Sequence, residues 1–216
     1  MSPTLYDTAP NTGILALVPE GVVSALDIGC GTGQLGAQLM TRAIVTDGIT
    51  FNQSEKEIAS RYLRDVWLFD LESGLPPLHS KYDLIIMSHL LEHIAEPSPL
   101  MSALSSYLAK SGRVLCAIPN MLFLYNRLKL LFGRVEYEQY GLMDYTHVRW
   151  YTRKTIVKLF NAYGFEVERE SVRGYLPLGP LRGILPGRLT ASLDRSIVPL
   201  LPGILACELL YRFRTI

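Results

Sequence analysis

The chain has 216 residues, 49% of them hydrophobic, and its 21 basic and 20 acidic residues leave it almost neutral. That length and apolar content suit one domain around one core. Near-neutrality gives no electrostatic footprint for nucleic acid, and no uninterrupted apolar run reaches the ~18 residues of a membrane span.

In chain order, Val22–Ile28 reads as a first strand, with Asp27 near its end, and Gln34–Met40 as the helix that follows. Between them Gly29, Gly31 and Gly33 alternate. Glycines let the backbone approach a ligand closely, and the next helix presents unpaired N–H groups at the same place. Ala43–Thr50 is the second strand, and Asn52, with Glu55 three residues later, starts a helix over Ser54–Leu63. Val66–Phe69 is a short third strand ending at Asp70, and Gly74-Leu75-Pro76-Pro77 is a loop. Leu84–Met87 is continuously apolar, as in a parallel strand buried on both faces. A helix over Pro99–Ala109, a strand over Gly112–Ile118, a helix over Thr152–Tyr163 and a strand over Phe165–Ser171 follow. Gly174–Pro202, rich in Pro, Gly and Leu, breaks the alternation before a last strand near Ile204–Tyr211. The pattern predicts an α/β, Rossmann-like, doubly wound sheet with its ligand at the carboxyl ends of the strands.

Gly31-x-Gly33-x-x-Gly36 also satisfies the dinucleotide fingerprint, but Asp27 two residues before the first glycine would repel a pyrophosphate. The absence of a Lys-Ser/Thr pair after the glycines excludes a triphosphate loop. A ligand with a ribose and a cationic amino-acid end fits better. Asp27-x-Gly29-x-Gly31-x-Gly33 resembles motif I of class I S-adenosylmethionine-dependent methyltransferases. Asp70-Leu71-Glu72, the segment from Tyr82 to His93 and that from Gly112 to Asn120 follow in that family's order and spacing. The resemblance spans about residues 20–172, closest to the small-molecule subgroup of types 11 and 23. It implies a mostly parallel seven-stranded sheet, its last strand antiparallel, with a helical lid or insert.

The resemblance assigns S-adenosyl-L-methionine to Gly29, Gly31 and Gly33, with Asp27 at its amino end. Asp70 takes the adenine amino group, the Leu71 amide a ring nitrogen, and the carbonyls of Ser88 and His89 the ammonium. The family usually ends its second strand in an acid that grips both ribose hydroxyls. Here the register puts Thr50 in that place, with Asp47 the one nearby carboxylate, so either residue is a ribose candidate. Asp70, Asp83 and Glu92 have separate roles or positions, and no catalytic metal is expected.

Methyl transfer is mostly positioning, and an oxygen acceptor also benefits from a general base. His147, within Asp144-x-x-His147-x-Arg149-Trp150-Tyr151-Thr152, and His93, within Leu90-Leu91-Glu92-His93, are the catalytic candidates. Arg149 suits an anionic group, and Tyr140 and Tyr145 the acceptor side. Residues 20–120 then form a cofactor core, 121–150 an acceptor-side insert or lid, and 173–203 an apolar, basic helical insert, all within one domain over 1–216.

Residues 173–216 carry six arginines against Asp194 and Glu208. Together with the apolar 121–134 segment, this suggests a small or lipid-linked acceptor, more readily methylated at oxygen. Peripheral membrane contact through 121–134 or 175–202, packing on the sheet, and a homodimer contact are the readings of those segments. The other class of function is an accessory, binding-only protein of the MetW type, which shares a Pro-Asn…Arg-Leu-Lys-Leu-Leu…His segment. The three cysteines, Cys30, Cys116 and Cys207, read as reduced thiols, and Met1–Pro10 lacks the marks of a signal peptide. A cytoplasmic setting, with or without membrane association, is expected.

Overall fold

The computed structural model describes residues 9–138 and 141–216. Its elements are α1 (Thr12–Leu17), β1 (Ser24–Ile28), α2 (Gln34–Met40), β2 (Val45–Thr50), α3 (Gln53–Ala59), β3 (Val66–Leu68), β4 (Tyr82–Ser88) and α4 (Ser98–Tyr107). The second half adds β5 (Leu108–Pro119), α5 (Leu124–Leu131), α6 (Arg153–Ala162), β6 (Phe165–Gly174), α7 (Leu181–Ile184), α8 (Gly187–Ile197), α9 (Pro202–Leu205) and β7 (Ala206–Thr215). The seven strands form one sheet in the order β3-β2-β1-β4-β5-β7-β6. The first five are parallel, and β7 runs antiparallel between β5 and β6.

Strand β4 shows why the sheet is two-sided. Leu84 and Ile86 join α1 and α2 on one face, whereas Ile85 and Met87 join α4 and α6 on the other. All four are fully buried, which fits an apolar run without alternation. The second face continues into β7, where Phe160 of α6 stacks on Phe213 with ring centroids 3.7 Å apart.

Several boundaries differ from the sequence reading, and one helix is absent from it. Helix α4 stops at Tyr107 because Leu108 already pairs with Tyr82, and the ladder then bulges before Leu84 meets Arg113. Pro202 opens the short α9, so β7 starts at Ala206 instead of Ile204 and runs on to Thr215. The short α1 was not foreseen; the Asn11 side chain caps it by accepting from Gly13 and Ile14 amides. No helix among the described residues is long and apolar enough to cross a membrane.

The 121–134 and 175–202 segments are both largely helical and touch each other. Phe123 meets Tyr175 edge-on at 5.1 Å, and Arg127 of α5 donates to the carbonyl of Gly203, in the neighbouring α9, at 3.0 Å. Leu131, Phe132, Ile184 and Leu200 stay about three-quarters exposed.

Candidate functional site

The site gathers at the carboxyl ends of β1, β2, β3 and β4. Gly29 and Gly33 hold φ of +78° and +82°, the left-handed region that other residues rarely enter. A side chain at Gly29 would meet Leu90 Cδ1 at 2.9 Å, so Leu90, just after β4, packs directly against the glycine turn. Asp27, at the end of β1, is 2% exposed, and burial pushes its carboxyl up to about 7. Burial, together with the charges of Asp27 and Glu55, pushes the Cys30 thiol far up, leaving it unreactive. The Gly29 and Cys30 amides donate to the Ile49 carbonyl at 2.9 and 3.0 Å, so the end of β2 lies against the glycine turn.

Glu55 is the residue sequence reasoning missed. The Thr50 hydroxyl donates to Glu55 Oε2 at 2.5 Å and accepts from the Asn52 amide at 3.2 Å. Asn52 caps α3 by accepting from the Ser54 and Glu55 amides, and its own amide donates to the Thr50 hydroxyl. A carboxylate therefore reaches the end of β2 from α3, five residues further along the chain.

Asp47 is corrected. It sits in mid-strand opposite Leu26, is 1% exposed, and accepts from Arg64 through both oxygens and from the Tyr82 hydroxyl at 2.7 Å. These partners fix it as a structural group away from the strand end. Asp47→Ala is expected to cost about 1–3 kcal/mol by orphaning the Tyr82 hydroxyl, while cofactor affinity stays within about twofold. Denaturant unfolding and calorimetry of one variant read both.

Asp70 is exposed and accepts from the Glu72 amide at 3.1 Å, capping the turn Leu71–Ser73. With Phe51, Leu68 and Phe69 it lines an open cleft of about 370 Å³. Ser88 and His89 follow on β4. His89 has φ of +54°, and its ring lies 3.1 Å from Glu92 Oε1 and 2.8 Å from Glu208 Oε1. Desolvation opposes the charged ring, but the bonds to Glu208 and Glu92 outweigh it and carry His89 up to about 10. It is an imidazolium and no base at neutral pH.

The histidines meet because the 144–149 loop is pinned onto the turn after β4. The Val148 and Arg149 amides donate to the Glu92 carbonyl at 2.9 and 3.1 Å, and the Arg149 guanidinium grips the Ala95 carbonyl. Arg149 is thus engaged on backbone, and the geometry gives no support to its role as an anion clamp. Asp144, buried, accepts from Thr146 through both amide and hydroxyl. His147 then lies edge-on to His93, ring centroids 4.8 Å apart, and to Trp150 at 5.4 Å. Burial holds His147 below its ordinary range. Tyr145 is 54% exposed, and Tyr140 lies outside the described residues.

A seven-stranded sheet with one antiparallel strand and a glycine turn at the end of β1 defines the class I methyltransferase architecture. Solved structures share it. An S-adenosylmethionine-dependent methyltransferase from Mesorhizobium loti is 16% identical with a TM-score of 0.63, over 98% of this chain and 100% of that one. One from Archaeoglobus fulgidus is 18% identical with a TM-score of 0.60, over 90% and 86%. The O-methyltransferase of a trans-AT polyketide synthase from Brevibacillus brevis, in complex with S-adenosyl-L-homocysteine, is 18% identical with a TM-score of 0.58, over 94% and 70%. No curated protein matches the chain. A family model described as a methyltransferase domain matches residues 8–170, and the chain belongs to that family. It is an S-adenosylmethionine-dependent methyltransferase.

Proposed function

We propose that the chain methylates an oxygen of a small or lipid-linked acceptor. The observation that carries this reading is the meeting of His93 and His147, 54 residues apart in sequence, at the turn after β4 whose leading residue, Leu90, packs on Gly29.

The residues around that loop fit the cofactor. Asp27, pushed up by burial, is a carboxylate whose ionised form needs a cation, which an amino-acid ammonium supplies. Glu55, braced by Thr50, takes the ribose hydroxyls that an acid at the strand end would take, and Asp70 with Phe51 and Phe69 holds the adenine in the open cleft. S-adenosylmethionine supplies a methyl group already activated on a sulfonium. His147 and His93 orient the acceptor and activate its oxygen. The exposed apolar residues of α5 and of the 181–201 segment, Leu131, Phe132, Ile184 and Leu200 among them, receive the acceptor's tail or rest on a lipid surface that carries it.

Transfer of tritium from methyl-labelled S-adenosylmethionine tests this reading, with phenolic, carboxylate and amine acceptors offered in short-chain and long-chain forms. Label is expected on an oxygen acceptor, with higher kcat/KM for the long-chain form. Label on amines alone overturns the oxygen assignment. Cofactor binding without transfer to any acceptor favours the accessory role.

A further inference from the structure

We propose that Glu92, His93 and His147 form a binding site for a divalent transition-metal ion, placed where the acceptor oxygen is held. This deepens the function proposed above and rests on it for the use of the ion, though not for its binding.

A carboxylate oxygen of Glu92 and a ring nitrogen of each histidine all lie within 4.8 Å of one another. Ligands about 2.1 Å from an ion stand at most about 4.2 Å apart, so seating it draws the widest pair in by roughly half an ångström or more. His147 is held in a loop without regular structure, which accommodates such a shift.

Glu92 is 1% exposed; its Oε1 meets His89, whereas its buried Oε2 has no hydrogen-bond partner. A buried carboxylate oxygen without a partner is costly and needs a cation or a donor. The Tyr151 hydroxyl is likewise buried without a partner, and after burial itself the Glu92 charge is among the influences raising it.

Both imidazoles are set up as ligands. His147 Nδ1 lies 3.2 Å from the Leu142 carbonyl, so it carries the hydrogen and leaves the lone pair on Nε2. His93 Nδ1 faces the Thr146 carbonyl at 3.3 Å and the Thr146 hydroxyl at 3.0 Å. That hydroxyl gives its own hydrogen to Asp144 at 2.7 Å and therefore accepts from His93, again leaving the lone pair on Nε2. A ring N–H anchored on backbone or on a carboxylate-linked partner is the usual support of a metal-binding histidine. Both histidines are half-buried, so the site keeps an open side. Two imidazoles and one carboxylate with open positions suit zinc, iron(II), manganese or cobalt better than magnesium. An ion there eases loss of the acceptor hydroxyl proton to water.

Cobalt(II) is the probe, added to the tag-free, chelator-treated full chain and followed by visible absorption and calorimetry. One equivalent is expected to bind with ligand-field bands, and His147→Gln and Glu92→Gln each to weaken it tenfold or more. Circular dichroism and S-adenosylmethionine affinity confirm that each variant is folded. His93→Gln stands in for a variant that fails this check. Absence of cobalt binding by the unaltered chain, or binding that survives in folded variants, overturns the site. If methyl transfer then persists in chelator-treated protein, the histidines act on the acceptor directly and the proposed function stands; if cobalt binds yet no acceptor is methylated, that function fails and the metal site stands.

Discussion

Replacing His147 by alanine is expected to lower kcat by two to four orders of magnitude, the range for losing an acid–base or equivalent activating group. The affinity for S-adenosylmethionine should stay within about twofold, because His147 makes no hydrogen bond to Asp27, Thr50, Glu55 or Asp70 and sites without shared partners act independently. The loop carrying His147 is held by Asp144 and by the Glu92 carbonyl, so removing one ring leaves its anchors in place. The exposed His79 serves as the control, and its alanine variant should match the unaltered chain. Steady-state kinetics on the acceptor from the tritium assay read the effect. A His147→Ala variant with full kcat would remove this residue from the reaction.

Asp27→Asn is expected to raise stability and weaken cofactor binding together. The Asp27 carboxyl titrates at about 7 in the folded chain against an ordinary 3.8, because burial penalises its charge. A raised folded pKa means that its stabilising contribution is full below about 4 and is lost as pH rises through about 7. Over that window the loss is on the order of 4 kcal/mol, which corresponds to roughly 10 °C in Tm for a chain of this size. Asparagine does not ionise, so the cofactor-free variant should melt higher than the unaltered chain at pH 8 and similarly at pH 4.5. The variant also loses a charge-assisted bond to the cofactor ammonium, weakening affinity about tenfold or more. Thermal melts at both pH values and calorimetry at pH 8 check the two signs. Equal pH dependence in both proteins would contradict the assignment of that charge.

The sheet was legible because its signals are local. Leu84–Met87 read as buried on both faces, and three alternating glycines behind Asp27 marked a tight turn between strand and helix. The parts that stayed hidden depend on chain segments meeting in space. Asp47 looked available from its neighbourhood in sequence, but Arg64 and Tyr82, from two other segments, close over it. Glu55 read as a helix-start residue, and the fold turned it back toward Thr50. His147 is 54 residues from His93 in sequence, and only the pinning of the 144–149 loop brings the two rings together. Short α1 carries too few residues for a periodic signal, and its cap, Asn11, was the one available cue.

The central claim is that the glycine turn, Asp27, Glu55 and the Asp70 cleft form one S-adenosylmethionine site. Titration calorimetry of the full chain with S-adenosylmethionine at pH 8 tests it most directly. The account predicts one saturable equivalent at about micromolar affinity, near −8 kcal/mol, weakened tenfold or more by Glu55→Gln and left unchanged by Asp47→Ala. No saturable heat up to about 1 mM ligand, or loss of binding in Asp47→Ala with none in Glu55→Gln, would contradict it.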